Sequence, residues 1–401
     1  MRTRRFWTIF CAACWPAAGI GAFDPTDVVQ IQANASLYHD NNLFRLPDRD
    51  PRLFGINPDH KADTALVKGV GLKFDKSVSR QRLIADLNLN ETTYDNNTNL
   101  DFFGGEGRLA WLWRVGNYWD GEASFRKKRT LGGFTDFRQN VQDLIDTDTY
   151  AVAGGYQFHP RWRISAEIRE DESAHSAVVR QSLDSNAQTT AVTLTYRTPA
   201  ANSIGLQARQ TDRNYPNRVS AGLVTFGNGH KESRLNAIVA WQFSGALKLD
   251  FQGGHVDVAH DQLPARDFSG VTWRAAATWN PTAKLRLHLN STKDIRLYED
   301  LASSYIVVHS LGLSPIYAIT SKITLQGDLN FEKRNYRGDP GFFIGANARE
   351  DDVQLARLAV TYSLLRNVDL SFSYEAGERK SNNALSDFQY QSWFGTARVR
   401  F

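Results

Sequence analysis

After residue 23, apolar and polar side chains alternate at a period of two in segment after segment. No window keeps apolar residues at i, i+3, i+4 and i+7 for three helical turns. Arg163-Ile164-Ser165-Ala166-Glu167-Ile168, Leu247-Lys248-Leu249-Asp250-Phe251, Leu285-Arg286-Leu287-His288-Leu289, Ile323-Thr324-Leu325-Gln326 and Val368-Asp369-Leu370-Ser371-Phe372 are clear cases. Successive side chains of a strand point to opposite faces, so each segment predicts a strand with one apolar and one polar side.

The strands come in pairs about short turns rich in Gly, Pro, Asn and Ser, near 77–80, 115–118, 159–161, 199–203, 244–246, 280–283, 320–322 and 365–367. Longer polar connections separate the pairs at 40–63, 131–143, 173–186, 215–230, 259–266, 337–350 and 380–387. A first strand at 28–38, two strands around each turn and a last strand bring the expected count to 18. Patterning is weak over 66–74, 305–317 and 353–364, which leaves 16 as the alternative, and a bulge in the last of these would shift its register. Short turns at one end and long loops at the other predict an all-β, transmembrane, antiparallel up-and-down barrel with its apolar face toward lipid. No linker divides residues 23–401, so they form one barrel, with 39–63 a loop plug or gate.

The last fourteen residues, F-Q-Y-Q-S-W-F-G-T-A-R-V-R-F, carry Trp393, Gly395, Ala397, Val399 and Phe401 on one face and Ser392, Thr396, Arg398 and Arg400 on the other. An apolar edge ending on an aromatic would invite aggregation in water but suits a barrel whose end strands pair. Trp393, Val399 and Phe401 match the assembly signal of outer-membrane barrels. The segment is expected to pair antiparallel with 28–38, placing 38–47 near Phe388 and Tyr390 at the extracellular end of the seam.

Residues 1–22 read as a secretory leader: Arg2, Arg4 and Arg5 make a basic start, 6–18 an apolar stretch, and Gly21-Ala22 a cleavage site. Nothing later approaches the roughly 20 apolar residues of a transmembrane helix. Both cysteines, Cys11 and Cys14, lie in the leader, so the exported chain would hold no disulfide. Removing the leader takes three of the 47 basic residues, leaving 44 against 43 acidic, a balance that gives no reason to expect nucleic acid as a partner. The location implied is the outer membrane, with both termini periplasmic. Aromatic residues at 12% and a single Met suit a wall with aromatic girdles better than a large globular core.

An 18-stranded wall encloses a lumen. The alternation puts Arg82, Arg108, Arg114, Arg126, Arg163, Arg169, Arg209, Arg234, Lys248, Arg274, Lys284, Arg286, Arg398 and Arg400 inside, against Asp86, Glu122, Glu167, Asp250, Asp328 and Asp369. Such a lining favours anions, since guanidinium stays charged and binds carboxylate in a fork. The alternative is a structural ladder of arginines paired with neighbouring acids.

Catalytic signals are weak. His255, His260 and Asp261, or His39, Asp40 and Asn41, suit solvated loops better than a metal, and no G-x-S-x-G, H-E-x-x-H or glycine-rich phosphate loop occurs. An enzyme is not expected, nor is a metal or cofactor.

The most individual stretch is Tyr38-His39-Asp40-Asn41-Asn42-Leu43-Phe44-Arg45-Leu46-Pro47, faintly echoed by Tyr94-Asp95-Asn96-Asn97. Asp and Asn favour turns through bonds to nearby backbone, but Leu43, Phe44 and Leu46 require burial, for which the barrel mouth is the place. With the leader, the alternating strands and the terminal aromatic, this motif resembles the β-barrel porins of exopolysaccharide biosynthesis loci, found beside exosortase genes. His39 and the second Asn depart from the family's pattern. The resemblance implies a channel for polysaccharide export across the outer membrane. Its partners would be outer-membrane lipid, the barrel assembly machinery, an anionic or neutral polysaccharide and periplasmic export components. A general anion-preferring porin, or an anchor for a periplasmic assembly complex, are the competing readings.

Overall fold

A computed structural model describes residues 24, 26–217, 219–221, 224–227, 229–262, 264–297, 305–337, 348–383 and 385–401. The leader and both cysteines lie outside them. The strands are β1 (Val29–Asp40), β2 (Asp63–Val78), β3 (Gln81–Tyr94), β4 (Phe102–Val115), β5 (Trp119–Leu131), β6 (Leu144–His159), β7 (Trp162–His175), β8 (Ser185–Arg197), β9 (Ser203–Asn214), β10 (Val219–Ala221), β11 (Val224–Phe226), β12 (His230–Gln242), β13 (Leu247–His260), β14 (Phe268–Trp279), β15 (Leu285–Leu297), β16 (Tyr305–Ala318), β17 (Ile323–Arg337), β18 (Glu350–Leu365), β19 (Val368–Ser381) and β20 (Phe388–Arg400). Strands β10 and β11 form a small separate hairpin in one loop, and the other strands form one 18-stranded antiparallel sheet.

The sheet closes on itself. β20 pairs with β1 from Gln32↔Arg400 to Asp40↔Ser392, and Ile31 and Phe401 exchange backbone hydrogen bonds of 3.2 and 2.8 Å. The weakly patterned segments are all wall strands, β2, β16 and β18, which decides for 18 over 16. β18 shifts register between Ser363 and Leu365, at the turn end of a segment whose alternation the sequence had blurred. The first strand runs two residues past Tyr38, because His39 and Asp40 keep their ladder partners on both β2 and β20. All eight short turns fall at one end of the wall, with both ends of the described chain.

Directly paired residues share a face, so the register phases every strand against its neighbours. Val70, Leu72, Leu83, Leu87, Leu109, Trp111, Val152, Ile164 and Ile168 all lie on the outside and are exposed, as a lipid-facing belt must be. Near the turn end, Trp119 stacks on Tyr156 with centroids 4.4 Å apart, and Trp162 meets Tyr196 at 5.0 Å, an interfacial girdle. A tilted strand needs about 9–11 residues to span the bilayer, and these run 12 to 16. The excess projects beyond the belt at the loop end, where outward residues turn into ion pairs such as Lys127–Asp148 and Arg129–Asp146. The main buried apolar cluster is therefore inside the loop-end mouth: Leu43, Phe44, Leu46, Ile56, Leu100 and Phe134.

Candidate channel mouth and lumen

The mouth is built from Asp40, the last residue of β1, whose inward carboxylate is fully buried. It accepts the Asn42 amide at 2.8 Å, the turn an Asx residue favours, and this bends the chain into the barrel. The Asn42 side chain then accepts from Leu46 N at 2.9 Å and donates to Leu46 O and Gln389 O, each at 2.8 Å, holding the loop both to itself and to β20. Arg45, at φ 55°, turns back so that its guanidinium meets Asp40 at 2.9 and 2.8 Å and covers the Tyr390 ring at 3.5 Å. Burial works against the Arg45 charge, yet the Asp40 carboxylate holds its pKa above the ordinary value. With the polar groups bonded, Leu43, Phe44 and Leu46 are free to insert beneath.

The echo of this motif has a matching role. Asp63 at the start of β2 accepts from Asn96 N (3.0 Å), Asn97 N (2.8 Å) and Asn97 Nδ2 (2.8 Å), which fixes the β3–β4 connection beside the first loop. The β5–β6 connection, 132–143, lies against both. Phe134 packs edge-on to Phe44 at 4.8 Å, and Asn140 donates to Asn97 at 3.0 Å. Its middle reaches β19, six strands away around the wall. The inward, buried Arg379 donates to Asp136 (2.8 Å), Thr135 O (3.0 Å) and Ser386 O (2.7 Å), and Arg138 joins the same Ser386 carbonyl at 2.7 Å. Burial and the nearby Arg379 push Arg138 down to about 10. Sequence patterning offered no signal for this crossing strap, because a polar loop has no period and its contacts lie nearly 250 residues away.

Of the fourteen basic residues picked from alternation, thirteen lie on strands with the polar face inward, and Lys284 lies in the turn before β15, donating to Ile319 O at 3.4 Å. The census of inward acids changes. Glu106, Asp120, Asp171, Glu232, Asp294, Glu332 and Glu375 also face inward, at the same phase as residues that the alternation already places inside, and Asp75 and Asp351 do so on the weakly patterned β2 and β18, whose phase only the register supplies. Inward Arg213, Arg296, Arg334, Arg357 and Arg379 join the basic set, so the excess of positive charge is smaller than the sequence suggested.

Most of these arginines are paired. Arg82 forks onto Asp75 (2.8 and 2.7 Å), Arg169 onto Asp171 (2.8 and 2.6 Å), and Arg163 onto Asp120 (3.3 and 2.7 Å). Arg108 meets Glu122 at 2.9 Å, Arg126 meets Glu106 at 3.3 Å, Lys248 meets Asp250 at 2.8 Å, and Arg400 bonds to Asp369. Arg234 is held by Glu232 and Asp294, and Arg286 by the Asn280 side chain at 3.1 Å. Among the described residues, Arg114, Arg209, Arg274 and Arg398 have no carboxylate partner. The wall is thus a paired ladder interrupted at a few positions.

His260 is bonded to Asp267 rather than to His255. His255, Asp257 and Ser269 do meet on the outer face, but Ser269 Oγ (2.8 Å) and Asp257 Oδ1 (3.2 Å) both address His255 Nε2. A nucleophile–base–acid relay needs the acid on the other ring nitrogen, so this trio is a polar cluster and not a triad.

Residues 209–401 match the family described as "Putative beta-barrel porin 2". The chain matches no curated protein in sequence. Among solved structures its fold is similar to OccK2 (OpdF) of Pseudomonas aeruginosa, at 9% identity over 93% of this chain and 98% of that one, with a TM-score of 0.52. It is also similar to OccAB4 of Acinetobacter baumannii (9%, 94% and 99%, TM-score 0.51) and to Pseudomonas aeruginosa OpdK with vanillate (11%, 93% and 99%, TM-score 0.50). The family matched over residues 209–401 is one of β-barrel porins, and the fold is that of the outer-membrane porins named above.

Proposed function

We propose that this porin-type outer-membrane barrel is the exit channel for an extracellular polysaccharide, with the loop 41–62, shorter than the expected 39–63 because His39, Asp40 and Asp63 belong to the wall, as its plug. The observation that carries the reading is the motif from Tyr38 to Pro47. The stretch that resembles porins of exopolysaccharide loci is also the piece that narrows the mouth, anchored through Asp40, Asn42 and Arg45 and packed through Phe44. A sugar chain passes by exchanging weak contacts, and a wall whose charges are mostly paired suits that better than a wall of free cations. In this reading both termini and the short turns lie in the periplasm, where export components deliver the chain. The leader at 1–22 directs export, and Trp393, Val399 and Phe401 present the assembly signal. Deleting the gene and measuring secreted polysaccharide tests it: secretion should fall, and unchanged secretion overturns the export role.

The unpaired Arg114, Arg209, Arg274 and Arg398 support a second reading, an anion-preferring porin for small solutes. The fold it shares with OpdK, solved with vanillate, is consistent with such a role. Reversal potentials in planar bilayers decide it, since cation preference would exclude it.

A further inference from the structure

Arg209 on β9 stands directly opposite Arg234 on β12, both inward. Like charges facing each other across a ladder repel, so such a pair needs anions to hold it. Arg234 has them: Glu232 contacts it at 2.5 and 3.0 Å, and Asp294 at 3.5 Å. Arg209 has none. It forms no hydrogen bond or ion pair with any described residue, and its Nε is shut off from solvent without a partner. A charged donor withdrawn from water with nothing to bond is costly, and the position lacks an acceptor.

The space before it is a half-enclosed hollow of ≈ 100 Å³ in the middle of the wall. On its far side stands Arg274 of β14, exposed to the lumen and likewise without a carboxylate partner, and Asn236 and Gln252 lie between. We propose that Arg209 and Arg274, with the Asn236 and Gln252 side chains, form a subsite for a single carboxylate group carried by a solute in the lumen. Two guanidinium forks match a planar carboxylate, the Asn236 amide adds a donor, and the Gln252 amide, which gives one hydrogen to Gln207 Oε1 at 3.2 Å, has its second to offer. The volume supports a charged group rather than a whole sugar: the cleft beside the mouth loop measures ≈ 650 Å³, several times more. Asp294, which lines the hollow, and Glu232, which holds the lining Arg234, set the charge limit. They leave room for one negative charge and oppose a phosphate dianion. Fixed midway along the passage, the subsite selects for acidic solutes or for acidic units of a passing chain.

Calorimetric titration of the purified full-length barrel with potassium gluconate, inorganic phosphate and glucose tests this without requiring current through the lumen. Gluconate should bind, glucose should not, and phosphate should bind more weakly. Arg209→Gln and Arg274→Gln should each weaken gluconate by about tenfold or more, while Arg114→Gln, an unpaired arginine near the turn end, should change it by less than about twofold. The two key variants lie on different strands, so failure of one to assemble leaves the other to decide. No gluconate binding, equal weakening by Arg114→Gln, or tighter binding of phosphate overturns the proposal. It is independent of the export reading: lost secretion on gene deletion without gluconate binding removes the subsite and leaves the export channel.

Discussion

The Arg45 guanidinium sits 2.9 and 2.8 Å from the two oxygens of Asp40 and 3.5 Å above the ring of Tyr390, so one cation from the mouth loop ties the end of the first strand to the last. Asp40 is fully buried, which makes this a lock on the seam rather than a surface ion pair. Replacing Arg45 with Ala leaves the buried carboxylate its Tyr38 hydroxyl and Asn42 N donors but removes its counter-charge and should cost about 3–5 kcal/mol, whereas Arg52→Ala, at an exposed pair, should cost about 0–1 kcal/mol. The midpoint of urea unfolding of the purified barrel reads both.

Phe44 fills the centre of the mouth cluster, against Phe134. Phe44→Ala should loosen the loop by about 3–5 kcal/mol, the usual cost of an emptied aromatic site, and expose 41–62 to protease while the wall stays intact. Leu53, 71% exposed on the same loop, should tolerate Ala without a change in cleavage.

Arg379 binds both the strap at 132–143 and the β19–β20 loop, so Arg379→Ala should release the strap and raise single-channel conductance. Arg138→Ala should do so less. Its charge is already disfavoured by burial and by Arg379, and its hydrogen bonds go to carbonyls of the β19–β20 loop alone. A larger effect at Arg138 would mean that the strap is held elsewhere.

Arg163 and Arg398 separate charge from structure. Arg163→Ser leaves Asp120 unpaired, so the reversal potential should move toward cations and the unfolding midpoint should drop. Arg398→Ser removes a charge that has no carboxylate partner among the described residues, so the potential should move the same way with little loss of stability. Identical midpoints would place Arg163 outside the structural ladder.

Phe401 closes the ladder with Ile31 through two backbone bonds. Removing it should lower the amount of assembled, heat-modifiable barrel in outer-membrane fractions, and a normal yield would count against its place in the assembly signal.

Local alternation was enough to determine the strand wall, its eight tight turns, its closure between the first and last strands, and the need to bury Leu43, Phe44 and Leu46. Each of these depends on side-chain period or turn chemistry within a few residues, which a chain carries in linear order. Only the tertiary structure could decide which acids meet which arginines. Asp120 and Arg163 lie 43 positions apart, and Asp75 sits on a strand too weakly patterned to phase, so register had to supply the face. The strap is the extreme case: Asp136 and Arg379 meet across 243 positions through a polar loop with no periodicity, a contact created by barrel closure itself. Barrel class and wall therefore follow from local pattern, while the shape of the mouth and the charges left free in the lumen follow from which strands the closed sheet brings together.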